Sequence, residues 1–276
     1  MHRTLRAIMT SPHAAPPVPS LEITQRVARI VMRDAARRNA LDARALGVLA
    51  EHLDEVAAHA GVDAVVLAGD GPAFCAGFDL AGCAEEPRRV EELLGGLSLC
   101  VRRLRALDVP VVARVQGAAL AGGCALLTGC DFVVAARDAQ LGYPTHRIGI
   151  SPAISIPTLV SRMGPAARAL LMSNELLDGA TAHARGLATH CVEPAQLEGE
   201  TEALVERLLA KGPLAMRATK RWIRTIEERS PGDLGPVPPR GASAMEAARD
   251  ASVALASGEE FATMLRAFWA SRSQAR

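Results

Sequence analysis

Two stretches of this chain share a design that leaves few folds open: a short apolar run, a glycine-rich turn, then a helical pattern. Residues 109–112 are apolar and lead into A-R-V-Q-G-A-A-L-A-G-G-C-A-L-L-T-G-C-D at 113–131. Residues 64–68 are apolar and lead into D-G-P-A-F-C-A-G-F-D-L at 70–80. Glycine permits the tight turn and lets a ligand reach the backbone with no Cβ in the way. The first residues of a helix carry N–H groups without intrahelical partners and a partial positive charge. Two such turns set face to face would offer two N–H donors to one oxygen atom, which is an oxyanion hole.

Around them the hydrophobic period switches repeatedly. Residues 21–32 alternate apolar and polar with a break at Gln25 and Arg26, which predicts a two-stranded hairpin. Residues 41–60 carry Leu46, Leu49, Leu53, Val56 and Ala57 at helical spacing, with Asp42 placed to cap the start and Gly61 to stop the run. Residues 87–107 read as a second helix, with Leu93, Leu97, Val101 and Leu104 on one side. Strands are expected at 64–68, 109–115, 132–136 and 139–141, and a helix opens at 122–129. Strands alternating with helices need crossover connections, so the fold class is α/β with a largely parallel sheet. From Pro152 onward the pattern is mostly helical. Segments 158–163 and 166–172 are separated by Gly164 and Pro165, a stop followed by a start. A short helix at 178–186, a small strand at 190–192 and helices at 196–210 and 214–228 follow. Residues 230–241 are rich in Pro and Gly, and 259–271 read as a final amphipathic helix carrying Phe261, Leu265, Phe268 and Trp269. The chain thus divides into an extension (1–20), a core domain (21–210) and a C-terminal helical region (211–276) whose apolar faces need cover.

Five motifs carry a likeness: R-R-N-A-L-D at 37–42, V-V-L-A-G at 65–69, F-C-A-G-F-D-L at 74–80, P-V-V-A at 110–113, and the run from Gly117 through Gly122-Gly123-Cys124 to Cys130-Asp131. On these residues the chain resembles the crotonase (enoyl-CoA hydratase/isomerase) superfamily, from about residue 21 to the C-terminus. The resemblance implies a ClpP/crotonase-like fold and an acyl-CoA thioester substrate in reactions of fatty acid metabolism, of lyase or isomerase type. It implies no metal and no cofactor beyond the coenzyme A of the substrate. It also implies C-terminal helices that cover the site and build homotrimers, often paired into hexamers.

By the same match, the backbone N–H groups of Phe78 and Gly122 are the oxyanion-hole donors, polarising the thioester carbonyl and stabilising the enolate. One such donor is typically worth roughly 3–4 kcal/mol of barrier. Phe78 stands where the family often has Ala. Hydratases of the family place one Glu in a G-G-C-E pattern and a second in a Q-P-E pattern; here those places hold Ala125 and Thr145, the latter in Tyr143-Pro144-Thr145. Hydration of an enoyl thioester needs a base for water and an acid for Cα. Ala offers neither, and a Thr hydroxyl offers little near neutral pH. The glycine-rich residues that follow the second Glu are also replaced, by S-P-A-I-S at 151–155.

Thr145 itself, Tyr143, the only tyrosine, and His146 are the candidate catalytic side chains; a hydrogen-bonded core tyrosine and a surface histidine are the competing readings for the last two. Glu85, Glu86, Glu91 and Glu92 follow the first turn and are either a solvated face or a source of catalytic groups. His183 and His190 are read as structural. For coenzyme A, the resemblance implies adenine against the backbone near Cys75, Ala76 and Gly77, and phosphates near Arg37 and Arg38. It places Asp79, Leu80, Gly117 and Ala125 along the path of the acyl-pantetheine arm, with Asp79 also serving loop structure.

Composition narrows the rest. The 276 residues suffice for one or two domains and a substantial core. A net charge of +1 gives no reason to expect nucleic acid or a membrane surface as partner. Only 3% of residues are aromatic, so the core must be built from Ala, Val, Leu and Ile. No apolar run reaches about 18 residues, so no membrane span is expected. The six cysteines form no C-x-x-C pair and have no His at zinc-ligand spacing, which reads as free thiols in a reducing cytoplasm. Residues 1–20 have Arg3 and Arg6 but no apolar core of signal-peptide length, and read as a flexible extension. Two functional classes remain: an acyl-CoA enzyme of altered reaction (isomerisation, decarboxylation or thioester hydrolysis), and a catalytically inactive CoA-thioester-binding subunit. A third, weaker reading uses the fold for oligomerisation alone.

Overall fold

A computed structural model of the chain describes residues 17–227 except 82, 84 and 87, together with 258–260, 263 and 265. The Pro/Gly-rich stretch at 230–241 lies outside these residues. Of the expected helix at 259–271, residues 259, 260, 263 and 265 are described, and all four are helical.

The chain opens as the expected hairpin. Strand β1 (Ser20–Thr24) pairs antiparallel with β2 (Val27–Met32), and Gln25 takes the left-handed turn position at φ 54°. Asp42 then caps α1 (Ala43–Ala58) by accepting from the Ala45 N–H at 2.7 Å. Strand β3 (Ala64–Gly69) is buried along its whole length, as a strand covered on both faces must be. Helix α2 (Arg88–Ala106) leads to β4 (Val111–Val115), which starts two residues later than the sequence predicts. After the second glycine-rich turn come α3 (Gly122–Leu127) and β6 (Phe132–Ala136), and much later β9 (His190–Val192). These strands form one sheet in the order β1-β2-β3-β4-β6-β9, parallel from β2 onward.

A second sheet was not legible in the sequence. It comprises β5 (Ala118–Leu120), β7 (Gln140–Gly142) and β8 (Leu176–Asp178), with β5 parallel to β7 and β7 antiparallel to β8. The sequence predicts β7 but not its neighbours. Each is three residues long, too short for a periodic signal, and β5 lies inside the stretch that reads as a glycine turn. The helices α4 (Ile156–Met163), α5 (Ala166–Ser173) and α6 (Gly179–Ala184) lie between β7 and β9, as predicted apart from shifted ends.

Helices α1 and α2 pack on each other, burying Leu46, Leu49 and Leu53 against Leu97, Cys100 and Leu104. Each such fully buried Leu contributes about 1.5–3 kcal/mol relative to exposure. The core is aliphatic as the composition requires; among the described residues Phe74 and Tyr143 are its buried aromatics. Helix α7 (Leu197–Leu209) packs over β4 and β6, and α8 (Pro213–Glu227) is pinned by Lys220. The Lys220 ammonium donates to the Val109 carbonyl at 2.7 Å and to Asp131 at 2.6 Å.

Candidate active site

The two glycine-rich turns are zipped together by backbone. Cys75 donates to the Ala118 carbonyl at 2.9 Å and accepts from the Leu120 N–H at 3.0 Å, so the first turn forms a parallel bridge to β5. On its other flank, Leu41 donates to the Gly77 carbonyl and accepts from the Asp79 N–H. This bridge spends the groups on either side of Phe78 and leaves the Phe78 N–H directed away from Leu41. Gly77 sits at φ +101°, and a Cβ there would stand 3.0 Å from the Leu120 carbonyl and 3.8 Å from the Gly122 nitrogen. The turns therefore touch.

The second donor comes from a strained corner. Ala121 has φ 49° and ψ −111°, a conformation that side chains disfavour. Its N–H is tied to the Gly142 carbonyl at 2.8 Å, which holds the corner in place. Gly122 follows as the first residue of α3, and Ala121 supplies no side-chain cap. The N–H groups of Phe78 and Gly122 thus have no protein acceptor among the described residues.

Both turns open on a cavity of about 180 Å³. Ala76, Phe78 and Leu80 line it from the first turn, Ala121, Gly122 and Ala125 from the second, and Leu94 and Leu97 from α2. The remaining wall comes from the segment between Tyr143 and Ser155, including Ile148, Ile150 and Ile154. Its polar groups are four hydroxyls, those of Tyr143, Thr145, Ser151 and Ser155. Among the described residues no Asp, Glu, His, Lys or Arg lines it. The Tyr143 Oη and Thr145 Oγ1 atoms are buried and make no hydrogen bond of good geometry. Burial, reinforced by the Cys124 thiol, pushes the Tyr143 phenol well above its ordinary range, although the nearby Ser155 hydroxyl pulls the other way. Tyr143 is therefore a protonated donor at neutral pH. Burial likewise pushes Cys124 up to about 12, so its thiol is no nucleophile.

The chain is similar in sequence and in fold to known proteins. The family model described as enoyl-CoA hydratase/isomerase matches residues 22–231. The chain belongs to the enoyl-CoA hydratase/isomerase family. It is 32% identical over 207 residues to a crotonyl-CoA hydratase of Syntrophomonas wolfei, covering 72% of this chain and 78% of that one. It is 30% identical over 208 residues to a short-chain-enoyl-CoA hydratase of Clostridium acetobutylicum, covering 74% and 79%. The crystal structure of an enoyl-CoA hydratase from Mycobacterium smegmatis matches with a TM-score of 0.82 at 28% identity, covering 92% and 97%. The fold is therefore of crotonase type, as the motifs imply.

Within this family member the remaining candidates fall into place unevenly. Ala125 and Thr145 both line the cavity. His146 does not join them; it is exposed in the turn at Pro144–Ile148, with Nδ1 3.3 Å from Asn174 Oδ1. Glu85, Glu86, Glu91 and Glu92 are exposed, and Glu86 is paired with Arg89. His183 contacts the Ala188 carbonyl and His190 contacts Thr189, away from the cavity. Arg37 is committed to three carboxylates, Asp34 and Asp79 at 2.5 Å and Asp42 at 3.1 Å, which leaves Arg38 as the exposed cation of that turn. Asp79 also accepts from the Ala81 N–H, in keeping with loop structure. Cys75 is fully buried with its thiol pushed up to about 12 by burial, and Gly117, at φ +53°, packs against the Pro72 carbonyl rather than the cavity. Ser151 and Ser155 carry no assigned role in the sequence; only their departure from a glycine-rich pattern marks them.

Proposed function

We propose that this protein handles acyl-CoA thioesters through an enolate, without the paired carboxylates that add water to an enoyl group. The observation that carries the reading is a pair of unpartnered N–H groups, Phe78 and Gly122, beside a cavity whose described wall holds no carboxylate. The thioester oxygen would sit between the two amides, and charge that develops on it as Cα becomes carbanionic would be stabilised. At roughly 3–4 kcal/mol per donor, this term alone supplies a large part of an enolate-forming rate. The pantetheine arm would pass between the two turns, with Arg38 free at their rim for a phosphate.

What is lacking is a base. The Tyr143 phenol stays protonated, and Thr and Ser hydroxyls do not ionise near neutral pH, so no described wall residue takes a proton from water or carbon. Addition of water to crotonyl-CoA should accordingly be slow. Of the alternatives, decarboxylation forms the enolate by loss of CO2 and needs no base, whereas isomerisation and thioester hydrolysis would need a proton acceptor from outside the described wall. The second reading, a CoA-thioester-binding subunit without chemistry, is favoured by the same specific feature, Ala125 beside Thr145. In both readings the C-terminal helical region is proposed to build a homotrimer or hexamer.

The test is a panel of acyl-CoAs incubated with the full-length protein and followed by calorimetry and mass spectrometry. Turnover of any of them supports the first reading; binding without change supports the second; no binding contradicts both. The variant Gly122→Pro deletes one donor and should abolish turnover or weaken binding, with a thermal melt checking that the variant still folds. Full activity in that variant would exclude Gly122 as a donor.

A further inference from the structure

Two buried hydroxyls on one cavity wall make no hydrogen bond of good geometry: Tyr143 Oη, whose residue is 1% exposed and whose neighbours are the Ser155 hydroxyl and the Cys124 thiol, and Thr145 Oγ1, whose residue is 8% exposed. Both belong to the short segment 143–155 that follows β7, whose Gly142 carbonyl accepts from the Ala121 N–H of the second turn at 2.8 Å. Buried polar groups in folded proteins are almost always satisfied, and an orphan donor retains its full desolvation penalty. An apolar acyl chain lying against this wall would leave both penalties in place. A chain that brings an oxygen acceptor would remove them.

The charge of that oxygen is set by what surrounds it. The wall has hydroxyls from Tyr143, Thr145, Ser151 and Ser155 and no cation among the described residues. The positive charge that acts on the phenol is Arg162, and its guanidinium is turned to the Leu187 and Cys130 carbonyls instead. A carboxylate brought here would exchange water for hydroxyls alone, with no counter-charge, and burial of an unpaired charge is heavily disfavoured. A neutral hydroxyl, ketone or ether oxygen asks only for the donors that are present.

Building on the acyl-CoA reading above, we infer that the acyl group this protein selects carries an uncharged oxygen on its chain, held by Tyr143 and Thr145. The two residues are specificity determinants rather than acid and base: they recognise the acyl tail while the main-chain amides hold the thioester. Thioesters whose tail ends in a free carboxylate are disfavoured by the same wall.

The experiment compares four thioesters of one chain length on the full-length protein by calorimetry: butyryl-, 3-hydroxybutyryl-, 4-hydroxybutyryl- and succinyl-CoA. The expected order is at least one hydroxybutyryl-CoA binding about tenfold tighter than butyryl-CoA, and succinyl-CoA weakest. Tyr143→Phe and Thr145→Val remove the hydroxyls with little change of volume. Each should erase most of the hydroxyl preference, read as the ratio of hydroxybutyryl-CoA to butyryl-CoA affinity in the same variant. Butyryl-CoA binding as well as both hydroxylated thioesters would overturn the inference while leaving the acyl-CoA reading intact, and so would a preference that survives in both variants. Failure of all four to bind would overturn the acyl-CoA reading itself.

Discussion

Ala121 is the residue on which the site turns. Its φ of 49° and ψ of −111° suit glycine far better than alanine, and the strained corner leads directly into Gly122, which lines the cavity. Ala121→Gly should therefore raise stability in denaturant melts by up to about 1 kcal/mol, the relief of strain being partly offset by a looser unfolded chain. A loss of stability would show that the corner is not strained. Arg37 makes the opposite case. The family resemblance implies a phosphate near it; in the fold it braces Asp34, Asp42 and Asp79, and Asp34 is buried. Arg37→Met should lower stability by about 1–3 kcal/mol, because it leaves a buried carboxylate unpaired. Such a brace is invisible in a linear reading: Asp79 lies 42 positions away. By contrast Ala125 and Thr145 were legible as a pair because the motifs on either side fix their places. The orphaned hydroxyls were not, since only packing decides whether a tyrosine finds a partner.

At the scale of elements, helices and the long sheet could be read from periodicity, and the small sheet could not. Strand β3 announces itself as a continuous apolar run, whereas β5 and β8 are held by the neighbours they meet, not by their own three residues. The consequence is functional, because β5 is the rail to which Cys75 is bridged. The attachment of α8 was equally hidden. Asp63, just before β3, accepts from Arg26 at 2.6 Å and from Arg217 of α8 at 2.9 Å. Burial would raise the Asp63 carboxyl, but the two guanidinium groups prevail and hold it below its ordinary value of 3.8. A depressed carboxylate stabilises the fold above the unfolded value, and that contribution is lost as pH falls through the folded one. Asp63→Asn should thus be destabilising at pH 7 and progressively less so below pH 3.8, read as the gap between variant and wild-type melts. A gap that is constant with pH would mean that Asp63 acts through shape and not charge.

For the molecule as a whole, the fold was the most legible feature, since five ordered motifs settle an arrangement of strands that no single one could. The reaction was the least legible. A family's scaffold is set by backbone requirements (tight turns, buried strands, helix starts) that leave strong marks in sequence. Its chemistry rests on one or two side chains that can be exchanged without disturbing the fold. Here Ala125 and Thr145 sit on the wall of a cavity that the main chain still builds in full. The free amides and the missing carboxylates belong to one claim: the thioester is held and polarised, yet water is not activated. The direct measurement is the hydration of crotonyl-CoA by the purified full-length protein, followed by loss of the enoyl absorbance, with binding of the same thioester checked by calorimetry. The account predicts binding with hydration at least a thousandfold slower than in an enzyme that retains both carboxylates, as expected when general acid–base groups are removed. Rapid hydration would contradict it.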